Sequence, residues 1–162
     1  MSADHLLEIH ARSLGFPISS TIKIGGNYTP ALRDGNLIYV SGQIPRIGDS
    51  IAVVGSAGDE VSFEQACFAA EVSTLRALIL VKQLCGSLEA VACVPRMCVF
   101  IRSGPTFTQH SEVADAASGL LVSILGANSS HSRTSLGVAQ LPKGATVELD
   151  FIFKLAPQDR GA

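Results

Sequence analysis

Charge is scarce in this sequence. Only 16% of the 162 residues are Asp, Glu, Lys or Arg, 47% are hydrophobic, and the net charge is −2. The hydrophobic share excludes a disordered chain. The shortage of charge predicts that part of the surface is hidden in a partner, because a small monomer usually carries more. No Lys/Arg-rich run occurs, so the electrostatic footprint for nucleic acid is missing and such a partner is not expected. No apolar stretch reaches membrane-spanning length, since "RALILVKQLCG" is interrupted by Lys82 and Gln83. The opening "MSADHLLEIHARSLG" has acids and no apolar signal-peptide core, which predicts a cytoplasmic protein. Neither a phosphate-cradling GxxxxGKS/T nor a dinucleotide GxGxxG is present.

Metal chemistry finds little support. His5 and His10 in "HLLEIH" are one residue too far apart for ligands on one helical face, which need i and i+4 spacing. His110 lies on an apolar stripe, where a hydrogen-bonded packing role is expected. No pair among Cys67, Cys85, Cys93 and Cys98 has CxxC spacing, and each sits in an apolar context. Reduced, mostly buried thiols are the plain reading, with a disulfide or a metal site as the alternatives.

What is present fits one domain over 1–162, with an N-terminal extension over 1–20 and a core over 21–157. Residues 4 to 14 read as a short helix ending at Gly15. "NLIYVSGQIP" (36–45) reads as a strand, and "IAVVG" (51–55) as a short one. Ser62 and Gln65 have capping-box spacing, and a helical stripe follows through Phe63, Cys67, Ala70, Leu78 and Val81 to about Cys85, with Gly86 beyond. "AVACVPRMCVFIR" (90–102) reads as a strand in which Pro95, lacking an N–H, demands an edge or a bulge. Thr106 and Gln109 repeat the capping-box spacing before a second helix through Phe107, His110, Ala114, Ala117, Leu121 and Ile124, stopped near Gly126. Segments 133–141 and 146–155 alternate and are joined by "PKGA", a hairpin signal.

Two helices and one mixed or antiparallel sheet predict a two-layer α+β domain. Val147, Leu149, Phe151, Phe153 and Leu155 should pack under the helices, with Thr146, Glu148, Asp150 and Lys154 on the other face. That second face is a candidate for burial in an oligomer.

Two side chains stand out as candidates for chemistry. Arg133, at the mouth of a strand in "SSHSRTSLGVAQLP", offers a planar, permanently charged fork suited to a carboxylate. On pattern alone it reads equally as a solvated cation or one half of a structural ion pair. Glu148 on pattern alone is a polar residue on the wetter face of the sheet.

"GNYTPALRDGNLIYVSGQIP" together with "SRTSLGVAQLPKGATVELDFIF" resembles the Rid (YjgF-type) family, the reactive imine/enamine deaminase superfamily also labelled endoribonuclease L-PSP or translation inhibitor. The likeness runs from about Tyr28 to Leu155 and is greatest to a longer subgroup whose activity is unsettled. It implies a chorismate-mutase-like fold assembled as a homotrimer with ligand clefts between subunits. It implies hydrolysis of 2-imino or 2-amino-enoic acids to 2-keto acids and ammonia, with no metal and no organic cofactor. The alternatives are a non-catalytic, small-carboxylate-binding or chaperone-like trimer and, ranked last, an endoribonuclease. Carried over residue by residue, Arg133 would hold the substrate carboxylate and Glu148 would position water. Tyr28 and Ser41 would line the pocket. Ser135 stands where the family frequently has cysteine, and its hydroxyl can still hydrogen-bond a water.

If Pro142–Ala145 formed a simple hairpin loop, Glu148 would face Ala139, leaving Arg133 roughly 20 Å away along the strand. Either a bulge alters the register or the two groups meet across a subunit boundary, and the second is the preferred expectation.

Overall fold

Val147, Leu149, Phe151, Phe153 and Leu155 alternate along the last strand, and none is more than 3% exposed. Such a strand needs a neighbour on each side and helices above it. The computed structural model, which describes residues 1–18, 22 and 24–157, supplies both. In chain order the elements are α1 (Ala3–Ser13), β1 (Ala31–Asp34), β2 (Leu37–Gln43), β3 (Arg46–Ile47), β4 (Ser50–Ile51), α2 (Phe63–Cys85), β5 (Val91–Arg102), α3 (His110–Leu125), β6 (His131–Val138) and β7 (Val147–Leu155). A mixed five-stranded sheet runs β1-β2-β7-β5-β6, and β3 with β4 forms a separate two-stranded ribbon. Pairing is parallel between β5 and β6 and antiparallel elsewhere in the sheet. Helices α2 and α3 pack together over one face, and α1 leans on both. The expected two-layer α+β architecture with a short N-terminal helix is present. The boundary expected between residues 20 and 21 lies outside the described residues.

Local chemistry explains the ends of α2. Gln65 donates its backbone N–H to Ser62 Oγ at 3.2 Å, and Ser62 donates its own N–H to Gln65 Oε1 at 3.0 Å. This is the capping box predicted from the spacing. Gly86 closes the helix at φ +88°, a conformation that disfavours any side chain. Within the helix, Thr74 is fully buried and donates its hydroxyl to the Ala70 carbonyl at 2.8 Å, which satisfies a polar group on the apolar stripe. In β5, the register with β6 shifts between Val94 and Arg96, so Pro95 sits in a bulge inside the sheet rather than on an edge.

Four expectations need correction. The last two segments do not form a hairpin: β6 lies at the sheet edge, parallel to β5, and β7 lies between β2 and β5. The reason is composition. β7 buries an unbroken apolar face, whereas β6 carries His131, Ser132, Arg133, Thr134 and Ser135 and suits an edge. "PKGA" is a 3-10 turn at Pro142–Gly144 that carries the chain past the end of β5.

The second capping box is absent. α3 begins at His110 without a side-chain cap, because Phe107 is tied back to the Gly104 carbonyl and Gly104 to Ala57. The strand expected over 51–55 shrinks to β4 plus a single bridge from Val54 to Ala145. The four cysteines are free thiols, but each is half-buried rather than buried.

Candidate active site

The site begins at an irregularity in β2. Val40 pairs with Phe151 and Gln43 with Leu149, so one extra residue is accommodated at Ser41–Gly42 opposite Asp150. A bulge re-aims the side chains of the strand that carries it. Ser41 donates its hydroxyl to the Thr29 carbonyl at 2.8 Å and its N–H to the Pro30 carbonyl at 2.9 Å. These two bonds dock the segment bearing Tyr28 against the end of β2. Gly42 has a different duty: a Cβ there would collide with the carboxylate of Glu148. Tyr28, Ser41, Gly42 and Glu148 thereby line one cavity of about 420 Å³. Three of the five residues singled out from the sequence are brought together here.

Behind them stands a polar brace that sequence reasoning missed. Gln43 is 3% exposed, and its amide donates to the Ser41 carbonyl at 2.9 Å. Its Oε1 accepts from Arg76 Nε at 3.2 Å, and Arg76 Nη1 donates to the Arg46 carbonyl at 3.0 Å. Arg76 comes from the middle of α2, so the helix layer is bolted to the bulged strand. Gln43, Arg46 and Arg76 all line the cavity. The signal for Arg76 was present: it is the one cation between Val72 and Val81, in a helix stretch otherwise buried and uncharged.

Burial pushes the Glu148 carboxyl above the ordinary carboxylate range, and the neighbouring Asp150 charge adds to the rise. Asp150 is raised chiefly by burial as well, partly offset by a Cys98 hydrogen bond and by Arg96. A carboxylate held above its usual range is a better proton acceptor near neutral pH than an exposed one. Arg76 is lowered to about 10, first by burial and then by the Arg46 charge, with Tyr28 acting in the opposite sense. It stays protonated at neutral pH. Among the described residues, no three His, Cys, Asp or Glu side chains gather as metal ligands.

Arg133 and Ser135 are elsewhere. Arg133 pairs with Met97 on β5, and Glu148 pairs with Phe100 on the same strand. Two strand spacings separate β6 from β7, about 10 Å, and the three-residue offset adds about 10 Å along the strands. Odd-numbered Met97 faces the helices and even-numbered Phe100 faces away, so Arg133 and Glu148 also lie on opposite faces. This replaces the hairpin distance expected from sequence and leaves the same result: within one chain the two do not meet.

The guanidinium of Arg133 rests against α3. It lies 2.6 Å from Asp115 Oδ1 and donates to Ser118 Oγ at 2.9 Å and to Ser111 Oγ at 3.1 Å. His131 Nδ1 donates to the Ser129 carbonyl at 2.7 Å, which leaves Nε2 to accept the Ser118 hydroxyl at 2.9 Å. The Ser118 oxygen is thereby oriented to accept from Arg133. Ser135 follows on the same side of the same edge strand.

Residues 8–154 match the protein family described as "YjgF/chorismate mutase-like, putative endoribonuclease". Protein TCP17 of Trypanosoma cruzi is 33% identical over 143 residues, 88% of this chain and 89% of its own length. Among solved structures, the Agrobacterium tumefaciens protein Atu1372, of unknown function, matches with a TM-score of 0.83 and 35% identity over 95% of each chain. E. coli TdcF with bound serine shares the fold at a TM-score of 0.60 and 19% identity, over 86% of this chain and 96% of its own.

Proposed function

Because the chain belongs to the YjgF/chorismate-mutase-like family of Rid proteins, we propose that it hydrolyses reactive 2-imino acids to 2-keto acids and ammonia, in clefts shared between the subunits of a homotrimer. The observation that carries this reading is the convergence of Tyr28, Ser41 and Glu148 on one cavity, with Gly42 making room for the carboxylate. The cavity supplies a general base. The anion anchor, Arg133, is displayed on an edge strand where a second copy can reach it.

In the proposed cycle a neighbouring copy's Arg133 grips the substrate carboxylate through its fork. Glu148 takes a proton from water as the oxygen adds to the imine carbon, giving a carbinolamine. That proton passes to the nitrogen; the carbinolamine's hydroxyl proton follows it through Glu148 as the C–N bond breaks, and ammonia leaves with the 2-keto acid. Imines of this kind hydrolyse in water unaided, so placement plus one base is sufficient catalysis. Exposed Leu32, Tyr39 and Leu136, together with a low share of charge, support burial of this side of the molecule in an assembly. The serine bound to TdcF, a small amino acid with a carboxylate, is in keeping with the ligand class.

The experiment is ammonia release from freshly generated 2-iminobutyrate. Acceleration that disappears in Glu148→Gln and in Arg133→Ala is the expected outcome, and no acceleration over buffer at any protein concentration rejects the reading. The contact between Arg133 and Asp115 favours a second reading, a trimer that captures small carboxylates without turnover. Calorimetric binding of 2-oxobutyrate by a protein inert in the ammonia assay would select it. An endoribonuclease is disfavoured by 12 Lys and Arg against 14 Asp and Glu.

A further inference from the structure

Helix α3 carries Ser111, Asp115 and Ser118 at i, i+4 and i+7, which is one face of the helix, and that face meets Arg133 on β6. Each terminal nitrogen of a guanidinium has two N–H bonds to give. Nη1 of Arg133 serves Asp115 Oδ1 at 2.6 Å and Ser118 Oγ at 2.9 Å. Nη2 donates to Ser111, to its hydroxyl at 3.1 Å and its carbonyl at 3.2 Å. These partners differ in kind. The Asp115 side chain is 63% exposed and that of Arg133 24%, so the ion pair stands at the solvent edge, where its net contribution is small. Another carboxylate can take the place of Asp115 on the same nitrogen. Ser118 is half-buried, and its hydroxyl is not free to turn. It donates to His131 Nε2 at 2.9 Å, and the imidazole is itself locked by its Nδ1–H on the Ser129 carbonyl at 2.7 Å. The lone pairs of Ser118 Oγ are thereby turned toward the guanidinium.

We propose that Ser118 and His131 are positioning residues for the carboxylate anchor: they hold the Arg133 fork from behind, while Asp115 keeps the place that the substrate carboxylate takes. The inference rests on the reading of Arg133 as the anion anchor of a cleft shared with a neighbouring copy. A free arginine side chain loses much rotamer freedom when it grips an anion, and a fork already held loses less. The incoming carboxylate replaces a carboxylate, so the guanidinium is paired before and after the exchange. Ser118 and His131 act through Arg133 and not on the reacting carbon. Their effect therefore falls on substrate affinity rather than on the chemical step.

The test is steady-state hydrolysis of 2-iminobutyrate by the full chain, alongside calorimetric titration with 2-oxobutyrate. Ser118→Ala should raise KM and weaken 2-oxobutyrate binding by roughly 10-fold, one hydrogen bond to a charged group, with kcat held within about 2-fold. His131→Leu should move both in the same direction. His131→Gln, whose amide oxygen can accept in the place of Nε2, should restore them. A merely structural role would lower the melting midpoint and leave KM alone. Should His131→Leu fail to fold, Ser118→Ala decides, since it removes one oxygen from a half-buried position and favours the helix. Unchanged KM and affinity in Ser118→Ala overturn the proposal, as does His131→Gln binding no more tightly than His131→Leu. Failure of 2-oxobutyrate to bind, or binding that is indifferent to Arg133→Ala as well, overturns instead the anchor reading beneath it.

Discussion

The carboxylate of Glu148 occupies the space that a Cβ at position 42 would need, and Gly42 leaves that space open. The SGQIP stretch therefore does three things at once. Ser41 docks the Tyr28 segment, Gly42 admits the acid, and Gln43 ties β2 to Arg76.

Gly42→Ala should cost activity more than stability. The colliding atoms are the end of a flexible side chain, so the acid is displaced rather than the strand broken. A displacement of about 1 Å at a catalytic group lowers 2-iminobutyrate hydrolysis by on the order of 100-fold. A thermal melt should fall by no more than about 4 °C. A fall in stability with unchanged rate would show that Glu148 does not act from this position.

Asp150→Asn tests the electrostatics of the base. The Asp150 charge helps raise Glu148, so its removal should move the acidic limb of the pH–rate profile to lower pH. The sign for stability follows from the same shifts. Both carboxyls are raised in the folded protein, so their contribution is complete only below the ordinary values of 4.5 for Glu148 and 3.8 for Asp150. It is lost as pH rises through the higher folded values. The melting midpoint of Asp150→Asn should therefore fall less between acid and neutral pH than that of the unaltered chain.

Arg133 and Asp115 are predicted to act in opposition on substrate affinity. Arg133→Ala should lower kcat/KM by on the order of 1000-fold or more, the value of the fork's two hydrogen bonds to a charged group, and leave no measurable acceleration. Asp115→Asn releases part of the guanidinium fork, now 2.6 Å from Asp115 Oδ1, and should lower KM. Steady-state kinetics on both variants separate this from a purely structural ion pair, for which Asp115→Asn would leave KM alone.

Ser62→Ala removes the hydroxyl that accepts the Gln65 N–H. Loss of such a cap costs about 1 kcal/mol, and a melt about 2–4 °C lower is expected. The catalytic rate should be untouched, because the cap lies outside the cleft.

What the sequence disclosed and what it withheld divide along physical lines. The α2 cap was legible because Ser62 and Gln65 interact three residues apart. The buried face of β7 was legible because alternation is local. The partner of β7 was not, since pairing joins residues distant in the chain and the short "PKGA" link favoured the nearer strand. Polarity was the overlooked clue: a strand carrying Arg133 and Ser135 on its helix side cannot take the centre of the sheet. Tyr28, Ser41 and Glu148 came from family resemblance, not from pattern. Gly42, Gln43 and Arg76 escaped notice because their roles exist only when β2, β7 and α2 are packed together.

Subunit complementation tests the central claim most directly. Arg133→Ala and Glu148→Gln chains, each inactive alone, are co-expressed with different tags and the mixed assemblies isolated. A cleft built from two chains regains function wherever an intact Glu148 meets an intact Arg133 from its neighbour. In an isolated mixed homotrimer this restores one of the three clefts, about one third of the normal activity. Mixed assemblies as inactive as their parents would contradict the account.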